Sequence, residues 1–76
     1  MKEAVEKIVN ALVDDKEAVE VHEETGERAT VIRVRVAGSD MGRIIGREGR
    51  TVKAIRSILF AAGQKHNKRY ALDIVE

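Results

Sequence analysis

Residues 44–52 read Ile-Ile-Gly-Arg-Glu-Gly-Arg-Thr-Val, and this stretch decides how the rest of the chain is interpreted. Gly46 and Gly49 lie three residues apart and permit a tight turn in which side chains would clash. Apolar residues precede and follow the turn, and these residues are expected to anchor it in a core. The residues after Gly49 have the pattern of a helix, whose free backbone N–H groups would point into the turn and could hold an anion.

The charge around this turn is mostly positive. Segment 41–53 holds four bases and one acid. Positive side chains beside a helix N-terminus favour phosphate binding, so the segment is interpreted as a small phosphate-binding device. Glu48 opposes this role unless it turns outward or pairs with a neighbouring arginine. The bases are Arg43, Arg47, Arg50 and Lys53.

Length and composition narrow the possibilities. With 76 residues we expect one domain, spanning 1–76, with one modest core. The chain contains no cysteine, which excludes disulfides and thiolate metal sites. We see neither an apolar run long enough to cross a membrane nor a leader sequence, so we expect a cytoplasmic protein with no membrane partner.

Charge is distributed unevenly along the chain. Residues 1–27 carry nine acids and three bases, whereas residues 28–76 carry eleven bases and four acids. This split could give the protein a basic face for a polyanion. It could also mean only that the two parts form ion pairs in the fold.

The first half of the chain predicts a helix and a hairpin. Val5, Ile8, Val9 and Leu12 form one apolar stripe of a helix over 2–13. Alternating residues predict strands over 18–23 and 29–37, joined by a turn over 24–27. Across this hairpin, Glu20 and Glu24 are expected to pair with Arg33 and Arg35.

The second half predicts two helices and a strand. A short helix over 40–46 would have Ser39 or Asp40 as its N-cap, and a longer helix would run from about Arg50 to Ala62 with Gly63 as its C-cap. A polar loop over 64–69 and a strand over 70–75 follow. The predicted buried stripe of the longer helix is Val52, Ile55, Leu59 and Ala62, widened by Ile58.

The order α-β-β-α-α-β predicts a two-layer α+β domain. The first two strands are antiparallel, and the two-helix crossover makes the last strand parallel to its neighbour. We therefore expect a three-stranded mixed sheet with the helices on one face.

The stretch around Gly46 and Gly49 resembles the signature of the KH domain, which is an apolar pair, G-x-x-G and a further apolar residue. The element order resembles the type II form of that fold. The runs Gly49-Arg50-Thr51-Val52-Lys53-Ala54-Ile55-Arg56 and Ala11-Leu12-Val13-Asp14 are similar to those of the small bacterial single-domain KH proteins called KhpA. This resemblance implies single-stranded RNA binding and a partnership with a larger Jag-type RNA-binding protein, KhpB.

The resemblance also implies roles for individual residues. KH domains hold about four nucleotides against the G-x-x-G loop. Arg47 would contact phosphate, Ile44 and Ile45 are candidates for the groove floor, and a loop over 65–69 would form the far wall. The residues expected to bind RNA are Arg43, Ile44, Ile45, Gly46, Arg47, Glu48, Gly49, Arg50, Lys53, Lys65, Lys68 and Arg69.

Scarce aromatic residues limit the expected affinity. Phe60 and Tyr70 are the only two, so binding should be mainly electrostatic, weak for one domain and dependent on salt. Weak binding favours pairing of modules, either in a homodimer or with another protein. Segment 56–63 could supply a protein contact, or Phe60 could merely cover the edge of the core.

Catalysis is not expected. His22 and His66 have no predicted nucleophile or metal ligand near them, and the glycine spacing fits neither the Rossmann motif nor the P-loop. We expect no cofactor and no metal. The rival function is a protein–protein adaptor with a KH fold and little affinity for nucleic acid, and single-stranded DNA is an alternative ligand.

Overall fold

A computed structural model of the protein describes all 76 residues. It confirms the α-β-β-α-α-β order and the α+β class. Three short 3-10 turns lie between these elements, over Lys16–Ala18, Gly38–Asp40 and Arg47–Gly49. No helix has both the length and the apolar character needed to cross a bilayer. The elements are α1 (Lys2–Leu12), β1 (Glu20–Thr25), β2 (Thr30–Arg35), α2 (Met41–Ile45), α3 (Arg50–His66) and β3 (Tyr70–Val75).

The three strands form one mixed sheet in the order β1-β2-β3. β1 and β2 are antiparallel, with Val21 opposite Val34. β2 and β3 are parallel, with Ile32 opposite Leu72. The predicted pairing is therefore confirmed, and the outer edges of β1 and β3 remain unpaired.

The core lies between the helices and one face of the sheet. β2 is central and contributes Ile32 and Val34, which have no exposed surface. Burying a side chain of this size contributes roughly 1.5–3 kcal/mol relative to leaving it in water. The remaining buried apolar residues come from every helix and from the strand ends. They are Val5, Val9, Val13, Val21, Val36, Ile44, Ile55 and Leu59.

The opposite face of the sheet carries paired charges. Arg33 contacts Glu24 on β1 at 2.9 Å and Asp73 on β3 at 3.2 Å, and Arg35 Nε lies 3.6 Å from Glu20 Oε2. The hydrogen bond that Arg33 Nε donates to Asp73 raises the pKa of Arg33, and the negative charge of Glu24 raises it further. Both predicted cross-strand pairs are confirmed, and the contact of Arg33 with Asp73 was not predicted.

The predicted end of α3 was wrong. The helix continues through Gly63 to His66, and Asn67 ends it with φ +55°. Gly63 is buried inside the helix because the backbone of Lys68 passes over it. A Cβ at this position would lie 2.5 Å from the Lys68 carbonyl oxygen, and the Lys68 N–H donates to the Gly63 carbonyl at 2.7 Å. Gly63 therefore serves close packing, and Asn67 takes the left-handed conformation.

The predicted width of the buried stripe on α3 was also wrong. Ile55 and Leu59 are buried as expected, but the Ile58 side chain is 50% exposed. Ile58 precedes Leu59 by one residue, which turns it about 100° around the helix. The core therefore covers a narrower stripe of α3 than the apolar pattern indicated.

Asp40 precedes α2 as predicted, but its carboxylate does not cap that helix. Instead its two oxygens accept hydrogen bonds from the backbone N–H groups of Asp14 and Asp15, at 3.1 and 3.0 Å. Asp40 is 1% exposed, and these bonds lower its pKa, the one from Asp15 contributing most. The side chain thus joins the start of α2 to the segment that follows α1.

Candidate nucleic-acid interface

The turn between α2 and α3 depends on two glycines for different reasons. Gly46 has φ +77° and ψ 171°, a conformation that is essentially confined to glycine. A Cβ there would lie 2.8 Å from the Thr51 backbone nitrogen and would clash with the Thr51 side chain. Gly49 has φ +74°, but a Cβ there would meet no atom within 4 Å. Gly46 is thus required by space and conformation, and Gly49 by conformation alone.

The turn is closed by its own backbone. The Gly46 N–H donates to the Gly42 carbonyl at 2.8 Å, and the Gly49 N–H donates to the Gly46 carbonyl at 3.1 Å. Glu48 lies between the glycines with φ +56°, a left-handed conformation that costs a non-glycine residue roughly 1–2 kcal/mol. No side chain caps the start of α3. The helix N-terminus therefore opens towards the turn.

The bases near the turn differ in what they contact. Arg47 is exposed and makes no ion pair. Arg50 Nη2 lies 3.5 Å from Glu48 Oε2, and both side chains are exposed. Arg43 is held more closely, with Nη2 2.9 Å from Asp14 and Nε 3.4 Å from Asp40. Arg47 is therefore the unpaired arginine of the turn and is available to bind an anion.

The two isoleucines before the turn have separate positions. Ile44 is fully buried and belongs to the core, whereas Ile45 is 41% exposed. The apolar pair thus anchors α2 with one side chain and presents the other at the surface beside the turn.

Seven of the eleven bases in residues 28–76 make no ion pair. They lie in the turn, along α3, in the loop that follows α3, and in the turn between β1 and β2. Three others pair with acids of residues 1–27, so part of the charge asymmetry is neutralised inside the fold. The unpaired bases are Arg28, Arg47, Lys53, Arg56, Lys65, Lys68 and Arg69.

A groove of about 500 Å³ runs between α3 and the free edge of β3. Its lining is mostly apolar and includes Arg56. Phe60 is 66% exposed at this groove, so it does not simply cover the core. The lining residues are Arg56, Ser57, Leu59, Phe60, Tyr70, Ala71 and Leu72.

The residues expected to bind RNA fall into two clusters. One surrounds the turn at the start of α3, and the other, formed by Lys65, Lys68 and Arg69, lies at its end. With 17 residues, the helix separates them by about 25 Å. Lys65 is on the last turn of α3, and only Asn67, Lys68 and Arg69 remain of the predicted loop.

Some residues of the surface could not be predicted from local patterns. The two partners of Arg43, Asp14 and Asp40, are 26 residues apart in sequence, and no spacing motif joins them. Arg28 lies between the predicted turn over 24–27 and the predicted strand over 29–37, and no role was predicted for it, yet it lies near the end of α3 with Lys68 and Arg69. Its positive charge was the only feature of the sequence that could have indicated a place on the binding surface.

Comparisons of the sequence with known proteins identify its family. The sequence model of the KH domain of KhpA/KhpB matches residues 2–74. The chain is 44% identical to the RNA-binding protein KhpA of Clostridium acetobutylicum, over 99% of this chain and 100% of that one. It is 43% identical to the RNA-binding protein KhpA of Aquifex aeolicus, over 100% of this chain and 96% of that one.

A third relative is the RNA-binding protein KhpA of Borreliella burgdorferi, 43% identical over 97% of this chain and 90% of that one. No solved structure matches the chain. The family match covers nearly the whole fold and includes the glycine turn, α3 and β3. The chain therefore belongs to the KhpA/KhpB family of KH-domain proteins.

Proposed function

We propose that this protein binds single-stranded RNA by holding its phosphates against the turn over 46–49. The observation that carries the proposal is the geometry of that turn. Gly46 and Gly49 adopt positive φ, no side chain caps the helix that follows, and Arg47 projects without an ion-pair partner. The names of the relatives, RNA-binding protein KhpA, support RNA as the ligand.

The residues around the turn would then contribute to RNA binding to different extents. Arg47 contacts phosphate, and Lys53 and Arg56 guide the strand along the groove between α3 and β3. Ile45 offers exposed apolar surface beside the turn, since Ile44 is buried in the core. Arg43 and Arg50 contribute less, because carboxylates already hold their guanidinium groups.

Base contacts would come from the α3–β3 groove. The free edge of β3 offers backbone groups to base edges, and the apolar floor accepts the faces of unstacked bases. Only Phe60 and Tyr70 are available for stacking, so affinity depends mainly on charge and falls with salt. On this proposal the protein acts as a binding module.

A partner chain would compensate for weak binding by one domain. Ile58 is half exposed and lies about 200° around α3 from Phe60, so a protein could cover it without blocking the groove. We propose that this flank contacts a second KH-containing chain, either a KhpB-type protein or another copy of this one. The pair would act in the cytoplasm as an RNA chaperone or post-transcriptional regulator.

Fluorescence anisotropy with a short labelled single-stranded RNA tests the phosphate role of the turn. The test variant is Arg47→Asp with Glu48→Asp, measured at low and physiological salt. Both glycines remain, and aspartate tolerates the left-handed conformation of residue 48. Wild type should bind and weaken with salt, and the variant should lose binding.

Circular dichroism checks that the variant is folded. Equal binding by wild type and variant would exclude the turn as the site. If neither protein binds RNA, the adaptor function becomes the better explanation. The same titration with single-stranded DNA shows whether the protein distinguishes the two nucleic acids.

The partner contact has its own test. Ile58→Asp should reduce association with itself or with a KhpB-type protein, measured by light scattering or pull-down. Unchanged association in both assays would show that the contact lies elsewhere.

A further inference from the structure

A second cavity lies beyond the far end of the α3–β3 groove. Its volume is about 730 Å³, and it is bounded by the turn between β1 and β2 on one side and by the end of α3 on the other. Phe60 and Tyr70 line both this cavity and the groove. The two depressions therefore adjoin at these aromatic residues, along the surface of α3, whose first residue follows the glycine turn.

The walls of the cavity are fixed by backbone hydrogen bonds. The Thr30 N–H donates to the Arg69 carbonyl at 2.8 Å and ties the start of β2 to the loop after α3. The Gly26 N–H donates to the Ala29 carbonyl, also at 2.8 Å, and closes the β1–β2 turn. Gly63 allows the Lys68 backbone to approach α3 closely. The cavity is thus part of the folded framework.

Its lining combines charges of both signs. Arg28, Lys68 and Arg69 make no ion pair, although Glu23 and Glu27 line the same cavity. Gln64 and Asn67 add amide groups. Guanidinium and ammonium groups suit a phosphate, whereas carboxylates and amides suit the N–H groups of a nucleobase. A nucleotide presents both kinds of group, and a simple anion presents one.

The length of the path also exceeds what four nucleotides need. α3 is about 25 Å long, whereas four stacked nucleotides cover roughly 10 Å at about 3.4 Å per step. A strand stretched to about twice that rise still ends short of the helix C-terminus. A bound strand that starts at the glycine turn therefore has room to continue.

We propose that single-stranded RNA longer than four nucleotides continues past Phe60 and Tyr70 into this cavity, where Arg28, Lys68 and Arg69 hold the phosphate of a further nucleotide. Phe60 supplies a stacking surface at the junction. This inference rests on the proposed RNA-binding function and adds Arg28, Gln64 and Asn67 to the surface that RNA contacts. It also explains why a large apolar side chain stays exposed there.

The test compares oligonucleotides of four and eight nucleotides cut from one labelled parent of mixed sequence. The proteins are wild type, Arg28→Glu and the matched control Lys7→Glu, which makes the same charge change at an exposed position of α1. A longer strand offers more binding registers to any protein, so the informative quantity is the ratio of each variant to wild type at a given length.

We expect Arg28→Glu to weaken binding of eight nucleotides by about tenfold, the effect of about one lost charged contact, with four nucleotides bound within about twofold of wild type. Lys7→Glu should change both lengths equally and little. Phe60→Ala should weaken both lengths through loss of stacking, because Phe60 lines the groove as well as the cavity, whereas Phe60→Tyr should bind both like wild type.

The outcomes separate this inference from the function on which it rests. If wild type binds both lengths and Arg28→Glu behaves like Lys7→Glu, the extended path is wrong and the glycine turn stands as the phosphate site. If wild type binds neither length, both proposals fall together. An equal loss at both lengths for Arg28→Glu would also overturn the extended path, since it would place Arg28 within the four-nucleotide site.

Discussion

The open face of the sheet and the surface along α3 are both rich in basic residues, but their charges are used differently. On the sheet, Arg33 and Arg35 contact three carboxylates at 2.9 to 3.6 Å. Along α3 and its flanking turns, six bases make no ion pair. A guanidinium that already contacts carboxylates must give them up to bind phosphate, and a free one need not. Unpaired charge is therefore a better basis than net charge for the proposed polyanion surface.

The strongest test of this comparison removes charge from each surface in turn. Arg47→Ala with Lys53→Ala should weaken RNA binding by about tenfold to a hundredfold. The slope of log affinity against log salt should fall by about 0.7 for each lost phosphate contact on a single strand. The matched control is Arg33→Gln with Arg35→Gln, which removes the same charge and should bind nearly as well as wild type. A comparable loss in both variants would show that RNA responds to overall charge.

The next test changes the position of Arg47 while keeping its charge. Gly46→Ala forces a Cβ against Thr51 in a conformation that alanine avoids, which should cost roughly 1–3 kcal/mol of folding free energy and weaken RNA binding. Gly49→Ala meets no neighbour and should cost only the left-handed penalty, about 1–2 kcal/mol. Urea denaturation of both variants measures the difference. Equal destabilisation would mean that space at Gly46 is unimportant.

A third test concerns the pairing that holds Arg43. Asp40→Asn removes the charge from a buried carboxylate that accepts two backbone hydrogen bonds, so the melting temperature at pH 7 should fall by several degrees. The pKa of Asp40 is lowered in the folded protein. Its contribution is therefore complete above the ordinary value of about 3.9 and is lost as the pH falls through the lower folded value.

Thermal melts of wild type and Asp40→Asn between pH 7 and pH 2 measure this dependence. The difference between the two proteins should narrow below about pH 4. A constant difference over that range would show that the ionised form of Asp40 does not stabilise the fold.

The smallest effect is expected from the exposed pair on the sheet. Arg35→Gln breaks the 3.6 Å contact with Glu20, and exposed pairs of this kind contribute roughly 0.2–1 kcal/mol. Denaturation in low and high salt should show a small loss that shrinks with added salt. A loss well above 1 kcal/mol would mean that the paired face is a major source of stability.

Much of the fold was predictable because its signals are local. Alternation identified both strands of the hairpin, the helical spacing of Val5 and Val9 identified α1, and the cross-strand pairs of Arg33 and Arg35 followed from register. The glycine turn was also evident, since two glycines between helical patterns permit few alternatives.

The errors arose where distant residues decide a local feature. A glycine at position 63 is typical of a helix end, but here the Lys68 backbone packs on it and the helix continues. Aspartate before a helix is typical of an N-cap, but the carboxylate of Asp40 accepts hydrogen bonds from backbone N–H groups 25 and 26 residues away. The candidate site was affected in the same way, because only the folded chain places Arg28 near the end of α3.

The parallel pairing of β2 with β3 bears on the time course of folding. β1 and β2 adjoin through a short turn, whereas Thr30 pairs with Tyr70 only after the intervening chain has closed a long loop. Loop-closure entropy therefore favours early formation of the hairpin and late docking of β3. One wall of the α3–β3 groove is β3 itself. Affinity for RNA should consequently appear only in the last step of refolding, although the charges that attract RNA are present from the start.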